Sequence, residues 1–172
     1  MEDKALLSTE EASGAEKAEL LIVIPAYNEA ENIERVVNHL TANFPQYDYV
    51  VVNDGSRDET AAICQRNGYN LLNLPVNLGL AGAFQAGLKY ADKYGYQYAV
   101  QLDGDGQHRP EYLESMIKKM EEGYDIVIGS RFVGEKKPFT MRMLGSNLIE
   151  IAIRFTTGVN IKDPTSGMRM FS

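Results

Sequence analysis

Residues 98–108 read Tyr98-Ala99-Val100-Gln101-Leu102-Asp103-Gly104-Asp105-Gly106-Gln107-His108, an apolar run that ends in two closely spaced acids. The apolar part has the length and residue types of a buried β-strand. Asp103 and Asp105 are two residues apart, so in an extended chain their side chains point the same way. Two such carboxylates repel each other, and oxygen ligands favour Mg²⁺ or Mn²⁺ over zinc. The stretch predicts either a metal site or a solvated acidic turn.

Strand-like and helix-like patterns alternate along the rest of the chain. Continuous aliphatic runs are typical of strands buried on both faces of a parallel sheet, and apolar residues at helical spacing separate them. Proline cannot donate into a ladder of hydrogen bonds, so Pro25 is predicted to end the first strand. The predicted fold class is α/β, a Rossmann-like and mostly parallel twisted sheet with helices on both faces. Strands are predicted at 20–24, 49–52, 71–72, 98–102 and 125–129, and helices at 33–44, 56–68, 79–94 and 110–123.

Two of the predicted helices carry signatures of side-chain capping at their start. Asn28 with Glu31 resembles a capping pair, and Ser56 with Glu59 forms a capping box. Both pairs are therefore predicted to accept N–H groups in the first turn of the helix that follows.

Polar, acidic and glycine residues concentrate just after the predicted strands, in the segments 25–29, 53–56, 103–106 and 129–131. Ligands of such sheets bind beyond the carboxyl ends of the strands, which favours the metal interpretation of Asp103 and Asp105. A cation held by these acids, with Arg131 beside it, could neutralise the phosphates of a nucleotide. Asp54 suits hydrogen bonding to a base N–H, or it caps the next helix.

Composition and motifs narrow the classes of function. The chain has 172 residues, a net charge of -7 and a single cysteine, Cys64. The negative charge argues against nucleic acid as the main partner. No G-x-G-x-x-G follows the first strand and no P-loop motif occurs, which argues against dinucleotide oxidoreductases and P-loop phosphotransferases. Cys64 is predicted to be a small core residue, and one cysteine suits a reducing, cytoplasmic compartment.

The two ends of the sequence differ in character. Residues 1–18 are predicted to be an acidic, disordered lead-in, and residues 19–172 a single domain. The first residues lack the apolar run that is typical of a secretion signal, and no apolar run approaches the roughly 20 residues that span a bilayer. A soluble or peripheral chain is therefore expected. Residues 141–157 mix apolar and cationic side chains. They predict a helix on a membrane surface, or one packed on the sheet or on another subunit.

Five short motifs follow one another between residues 20 and 172. They read VIPAYNE at 23–29, VNDGSRD at 52–58, NLG at 77–79, DGDGQH at 103–108 and GSR at 129–131. In this order they resemble the motifs of glycosyltransferase family 2, whose fold is called GT-A. The form of the fourth motif, with DPTSGMR at 163–169, is most similar to the polyprenyl-phosphate branch, such as dolichyl-phosphate mannose synthase.

The resemblance implies a nucleotide-sugar donor, a UDP- or GDP-sugar, and Mg²⁺ or Mn²⁺ as cofactor. It gives roles to residues in all five motifs and to the later acid Asp163. Pro25, Tyr27 and Glu29 would line the nucleoside pocket, and Asp54 would bind the base. Gly79 would let the backbone approach the nucleotide, or it would only start a helix. Asp103 and Asp105 would hold the metal and the diphosphate, Gln107 would add an amide oxygen to the metal, and Arg131 would face a phosphate.

The implied reaction is inverting transfer of the sugar to a polyprenyl phosphate at the cytoplasmic face of a membrane. Asp105, Arg131 and Asp163 would be catalytic, with Asp163 as a general base for a hydroxyl acceptor, a group that orients the acceptor, or a partner of Arg169. The alternatives are transfer to a glycan hydroxyl in polysaccharide synthesis, and a domain that binds donor without turnover. Because related proteins often continue beyond the last motif, a C-terminal truncation is also an expectation.

Overall fold

A computed structural model of the chain describes residues 19–103, 110–129, 149, 151–158 and 166–172. Strands and helices alternate through most of these residues, as predicted, and residues 149 and 151–157 are also helical. In chain order the elements are β1 (Leu20–Ala26), α1 (Ile33–Asn43), β2 (Asp48–Asp54), α2 (Thr60–Arg66), β3 (Leu71–Leu74), α3 (Gly79–Tyr94), β4 (Tyr98–Gln101), a 3-10 turn (Pro110–Tyr112), α4 (Leu113–Glu121), β5 (Ile126–Ile128) and β6 (Arg169–Phe171).

The described strands form one sheet in the order β3-β2-β1-β4-β6-β5. β3, β2, β1 and β4 are parallel neighbours, whereas β6 is antiparallel to both β4 and β5. The mostly parallel α/β sheet is confirmed. β6 was not predicted, because Arg169-Met170-Phe171 lacks the consecutive β-branched residues that indicated the equally short β5.

Helices cover both faces of the sheet. β1 alternates its side chains between two cores, and Leu20 to Ile24 are each at most 1% exposed. Ile22 and Ile24 pack in the core shared with α1, α2 and α4, which also buries Cys64. Leu21 and Val23 pack in the core under α3. Burial on both sides explains why the sequence of β1 is continuously aliphatic.

Small residues let α3 lie close to the sheet. Ala83, Gly87 and Ala91 recur every four residues and are buried. A Cβ atom placed on Gly87 would lie 2.2 Å from Cγ1 of Val23 in β1. The small-residue pattern of this helix is therefore a packing requirement.

Pro25 lies inside β1, so the prediction that it ends the strand is wrong. β1 continues to Ala26 and pairs with β2 through Pro25 opposite Val52. On its other side β1 pairs with β4 only as far as Val23, whose carbonyl accepts the N–H of Leu102. Residues two apart direct their backbone polar groups to the same side of a strand. The nitrogen of Pro25, which carries no hydrogen, therefore faces the β4 side, where β1 and β4 have already stopped pairing.

Neither predicted capping pair caps a helix. The N-cap positions of α1 and α2 are Asn32 and Glu59, and neither side chain makes a capping hydrogen bond. Asn28 and Ser56 instead join the two loops that precede these helices, where the N–H of Asn28 donates to Ser56 Oγ at 3.0 Å. Within the described residues, no helix combines the length and hydropathy needed to cross a bilayer.

Candidate active site

A cleft of about 440 Å³ opens where β1, β2 and β4 end. It lies at the carboxyl edge of the parallel strands, where α/β sheets bind ligands. All six residues predicted to bind the nucleotide line this cleft, and their roles there stay predictions. The lining consists of Pro25, Ala26, Tyr27, Glu29, Asp54, Asn77, Gly79, Leu80, Ala83 and Asp103.

Asp54 ends β2 and is only 2% exposed. Its Oδ1 accepts the backbone N–H of Leu78 at 2.7 Å, and its backbone carbonyl accepts Nδ2 of Asn77 at 3.1 Å. Leu78 is the N-cap residue of α3. Asp54 therefore fixes the start of α3 and does not cap α2, the next helix along the chain. Oδ2 makes no hydrogen bond within the described residues, so it can accept one from a ligand in the cleft.

The loop between β1 and α1 brings Tyr27 and Glu29 to the cleft. Tyr27 is 44% exposed, so much of its ring is available for stacking. Between them Asn28 has a φ of 57°, in the left-handed region that asparagine tolerates better than most residues. Its Oδ1 accepts the N–H of Arg57 at 2.9 Å, which stabilises that conformation from the neighbouring loop.

Asp103 follows β4 and is held by Gln101, a residue that the motifs did not single out. Nε2 of Gln101 donates to Asp103 Oδ1 at 2.8 Å, and Gln101 is 5% exposed. The signal was present in the sequence, because a polar residue inside an apolar strand, two positions before Asp103, points to the same side of the chain.

The cleft has an excess of negative charge. Glu29, Asp54 and Asp103 are all among its lining residues. A diphosphate would be repelled by these carboxylates unless a cation accompanied it. Oxygen donors of this kind fit Mg²⁺ or Mn²⁺. Among the residues that the structure describes, no three His, Cys, Asp or Glu side chains are grouped closely enough to hold a metal.

Four predicted residues, Asp105, Gln107, Arg131 and Asp163, lie outside the described residues. Their roles therefore stay predictions. Four lining residues were not among the predicted site residues: Ala26, Asn77, Leu80 and Ala83. Asn77 could have been found from its place three residues after β3, at the same edge of the sheet.

Comparison with known proteins agrees with the motifs. The family model described as glycosyl transferase family 2 matches residues 21–172. The chain is 34% identical over 160 residues to the polyprenol monophosphomannose synthase of Mycolicibacterium smegmatis, over 88% of this chain and 60% of that protein. It is 32% identical over 160 residues to the undecaprenyl-phosphate mannosyltransferase of Micrococcus luteus, over 88% of this chain and 65% of that protein. It thus spans less than two thirds of the length of either relative.

A solved structure shares the fold. The glucosyl-3-phosphoglycerate synthase of Mycobacterium tuberculosis, in complex with Mn²⁺, UDP-glucose and phosphoglyceric acid, matches with a TM-score of 0.69 at 19% identity. The match covers 91% of this chain and 57% of that one. With its sheet order, its cleft and a family model that covers most of its length, the chain has the GT-A fold and belongs to glycosyltransferase family 2.

Proposed function

We propose that this chain transfers a sugar from a UDP- or GDP-sugar to a polyprenyl phosphate, with Mg²⁺ or Mn²⁺ as cofactor. The observation that carries the proposal is the cleft itself, which brings six residues from four separate motifs to one edge of the sheet. The names of the two curated relatives support a polyprenyl-phosphate acceptor. The Mn²⁺ and UDP-glucose of the solved relative support the donor and the metal.

In the proposed complex the nucleoside lies against Tyr27 and Pro25, and Asp54 Oδ2 accepts an N–H of the base. The diphosphate lies towards Asp103, at the end of β4. A divalent cation bound there, by Asp103 and Asp105 with Gln107, would neutralise the negative charge that develops on the leaving diphosphate. Arg131 would add a second positive charge at a phosphate.

The acceptor attacks the anomeric carbon from the side opposite the diphosphate, so the configuration inverts. A polyprenyl phosphate is already ionised at neutral pH and needs little or no help from a general base. Asp163 would act as a base only with a hydroxyl acceptor, and with a lipid phosphate it orients the acceptor or pairs with Arg169.

The donor and the metal are tested together by thermal shift. UDP-glucose, UDP-N-acetylglucosamine and GDP-mannose are added to the chain with and without Mn²⁺, and a bound donor raises Tm according to its concentration relative to Kd. We expect a Mn²⁺-dependent rise with at least one donor, lost in Asp103→Asn and in Asp105→Ala. Asp125→Asn is the matched control, because Asp125 is exposed and lies just before β5, at the opposite edge of the sheet.

The acceptor is tested with the donor that binds. Transfer of labelled sugar to a polyprenyl phosphate, but not to an oligosaccharide, is the expected result. Transfer to the oligosaccharide alone would favour polysaccharide synthesis, and donor binding without transfer or hydrolysis would favour a binding domain. A chain that no donor stabilises, with or without Mn²⁺, contradicts the proposal.

A lipid acceptor requires the chain to reach the cytoplasmic face of a membrane. Ile151 and Phe155 are 65% and 91% exposed, are four residues apart in the helical segment 151–157, and have exposed Arg154 beside them. Apolar and cationic groups together favour contact with anionic lipid. We expect the chain to bind liposomes that contain phosphatidylglycerol and to release them as salt rises. Binding that is indifferent to salt and to anionic lipid would remove this part of the proposal.

A further inference from the structure

Thr60, the first residue of α2, is fully buried, and its hydroxyl joins two loops. Thr60 Oγ1 donates to Asp58 Oδ1 at 2.5 Å, and the backbone N–H of Thr60 donates to the same oxygen at 3.0 Å. A hydroxyl has one proton, so this bond leaves only lone pairs on Oγ1. The backbone N–H of Glu29 donates to them at 2.9 Å. Because the Thr60 hydroxyl donates to Asp58, it can only accept from Glu29.

The second oxygen of Asp58 holds the next residue of the same loop. Oδ2 accepts the N–H of Ala30 at 3.1 Å. Burial raises the pKa of Asp58, but hydrogen bonds from Thr60 and Ala30 outweigh it, and the pKa lies below its ordinary value. The carboxylate is therefore ionised near neutral pH and can only accept. Two consecutive amides, of Glu29 and Ala30, are thus fixed from the start of α2.

We propose that Asp58 and Thr60 are positioning residues for the nucleotide-sugar site. The ionised carboxylate orients the Thr60 hydroxyl, the hydroxyl fixes the backbone of Glu29, and the fixed loop holds Tyr27 and Glu29 at the cleft. Neither Asp58 nor Thr60 lines the cleft itself. The inference rests on the proposed function, since it assigns the loop to donor binding.

The test compares Thr60→Val with Thr60→Ser. Valine keeps the shape of threonine and removes the hydroxyl, whereas serine keeps the hydroxyl and removes a methyl group. A purely structural role predicts that both variants bind donor normally once folded. A positioning role predicts that donor binding is weakened in Thr60→Val and is restored in Thr60→Ser. Thr41→Val is the matched control, because the Thr41 hydroxyl donates to Val37 O within α1, on an exposed position.

Two measurements are made on each variant at a temperature where it is folded. Calorimetric titration with UDP and Mn²⁺ gives affinity, and we expect Thr60→Val to bind about tenfold more weakly, the scale of one lost hydrogen bond. Thr60→Ser and Thr41→Val stay within about threefold of the parent chain. Hydrogen exchange measures how firmly the backbone amides of the loop between β1 and α1 are held. We expect the Glu29 and Ala30 amides to exchange faster in Thr60→Val than in the parent chain, and not in Thr60→Ser or Thr41→Val.

Asp58→Asn tests the contribution of the Asp58 carboxylate separately from that of the Thr60 hydroxyl. Asparagine has one acceptor oxygen where aspartate has two, so it cannot accept from both Thr60 and Ala30. We therefore expect faster exchange at the amide of Glu29 or Ala30, and weaker UDP binding. Normal UDP affinity in folded Thr60→Val, or equal losses in the valine and serine variants, overturns the inference while leaving the proposed function intact. A parent chain that binds neither UDP nor any donor of the thermal-shift panel overturns the proposed function, and the inference with it.

Discussion

At the scale of single residues, the cleft depends on polar side chains that are held by other polar groups. Asp103 is held by Gln101, and Asp54 holds the N–H of Leu78. Because Asp54 is held through Oδ1, its Oδ2 points in a defined direction, which lowers the ordering cost of binding a ligand. The sequence indicated the two acids but not these partners.

Gln101→Leu tests the support of Asp103. Leucine fills a similar volume in the buried strand but donates no hydrogen bond, so the Asp103 carboxylate loses one of its partners. We expect half-maximal stabilisation by UDP to require several-fold more Mn²⁺, with the free energy of unfolding changed by about 1 kcal/mol or less. The measurement is a Mn²⁺ titration of Tm at fixed UDP.

Gln97→Leu is the control for that titration, since Gln97 is exposed and lies just before β4, at the opposite edge of the sheet. Equal Mn²⁺ requirements in both variants would show that Gln101 does not act through Asp103.

At the scale of elements, α3 shows how side-chain size sets the position of a helix. Its start is fixed by Asp54, and its middle is close to β1 because Gly87 has no side chain. Both features bring Gly79 and Leu80 to the cleft. The sequence predicted the bounds of this helix correctly, because Gly95 adopts a left-handed φ of 70° after the last turn.

Gly87→Ala tests the close approach. Helix propensity alone would stabilise the chain by about 1 kcal/mol, but the new Cβ would lie 2.2 Å from Val23 Cγ1. We expect a net loss of about 1–3 kcal/mol in the free energy of unfolding, measured by urea denaturation. Gln85→Ala, at an exposed position of the same helix, should change it by no more than about 0.5 kcal/mol. A more stable Gly87→Ala protein would contradict the packing argument.

At the scale of the whole molecule, the carboxyl and amino edges of the sheet make different contributions: one forms the cleft, and the other contributes to stability. The carboxyl edge carries the cleft, whereas at the amino edge the hydroxyl of Tyr96 donates to Asp48 Oδ2 at 2.8 Å. Tyr96 lies two residues before β4 and Asp48 is the first residue of β2, so the bond links two strands that lie on either side of β1. Stability and donor binding should therefore be separable by substitution.

Tyr96→Phe should lower the free energy of unfolding by about 1 kcal/mol at neutral pH and leave UDP binding unchanged. Burial, then the hydrogen bond to Asp48, raises the pKa of Tyr96 above its ordinary value of 10.0. A raised pKa in the folded state means that this stabilisation is complete below pH 10 and is lost as pH rises towards the folded pKa. The difference between parent and variant should thus shrink above pH 10 in denaturant titrations. A constant difference across that range would contradict the assignment.

The sequence by itself determined the alternation of strands and helices and the acidic edge of the sheet. These follow from local periodicity and from residues next to each strand. It also placed five of the six predicted cleft residues, all except Gly79, at a common edge, because parallel strands end there. The choice of Gly79 and the roles given to the six residues came from the family resemblance.

Only the tertiary structure decided which groups bond across that edge. Asn28 and Ser56 looked like helix caps, yet they are 28 residues apart and join two loops. Pro25 could stay in a central strand only because β4 ends beside it, and β6 enters the sheet between β4 and β5 from the far end of the chain. Such outcomes depend on contacts between distant segments, and local sequence patterns carry no information about which distant segment will be the neighbour.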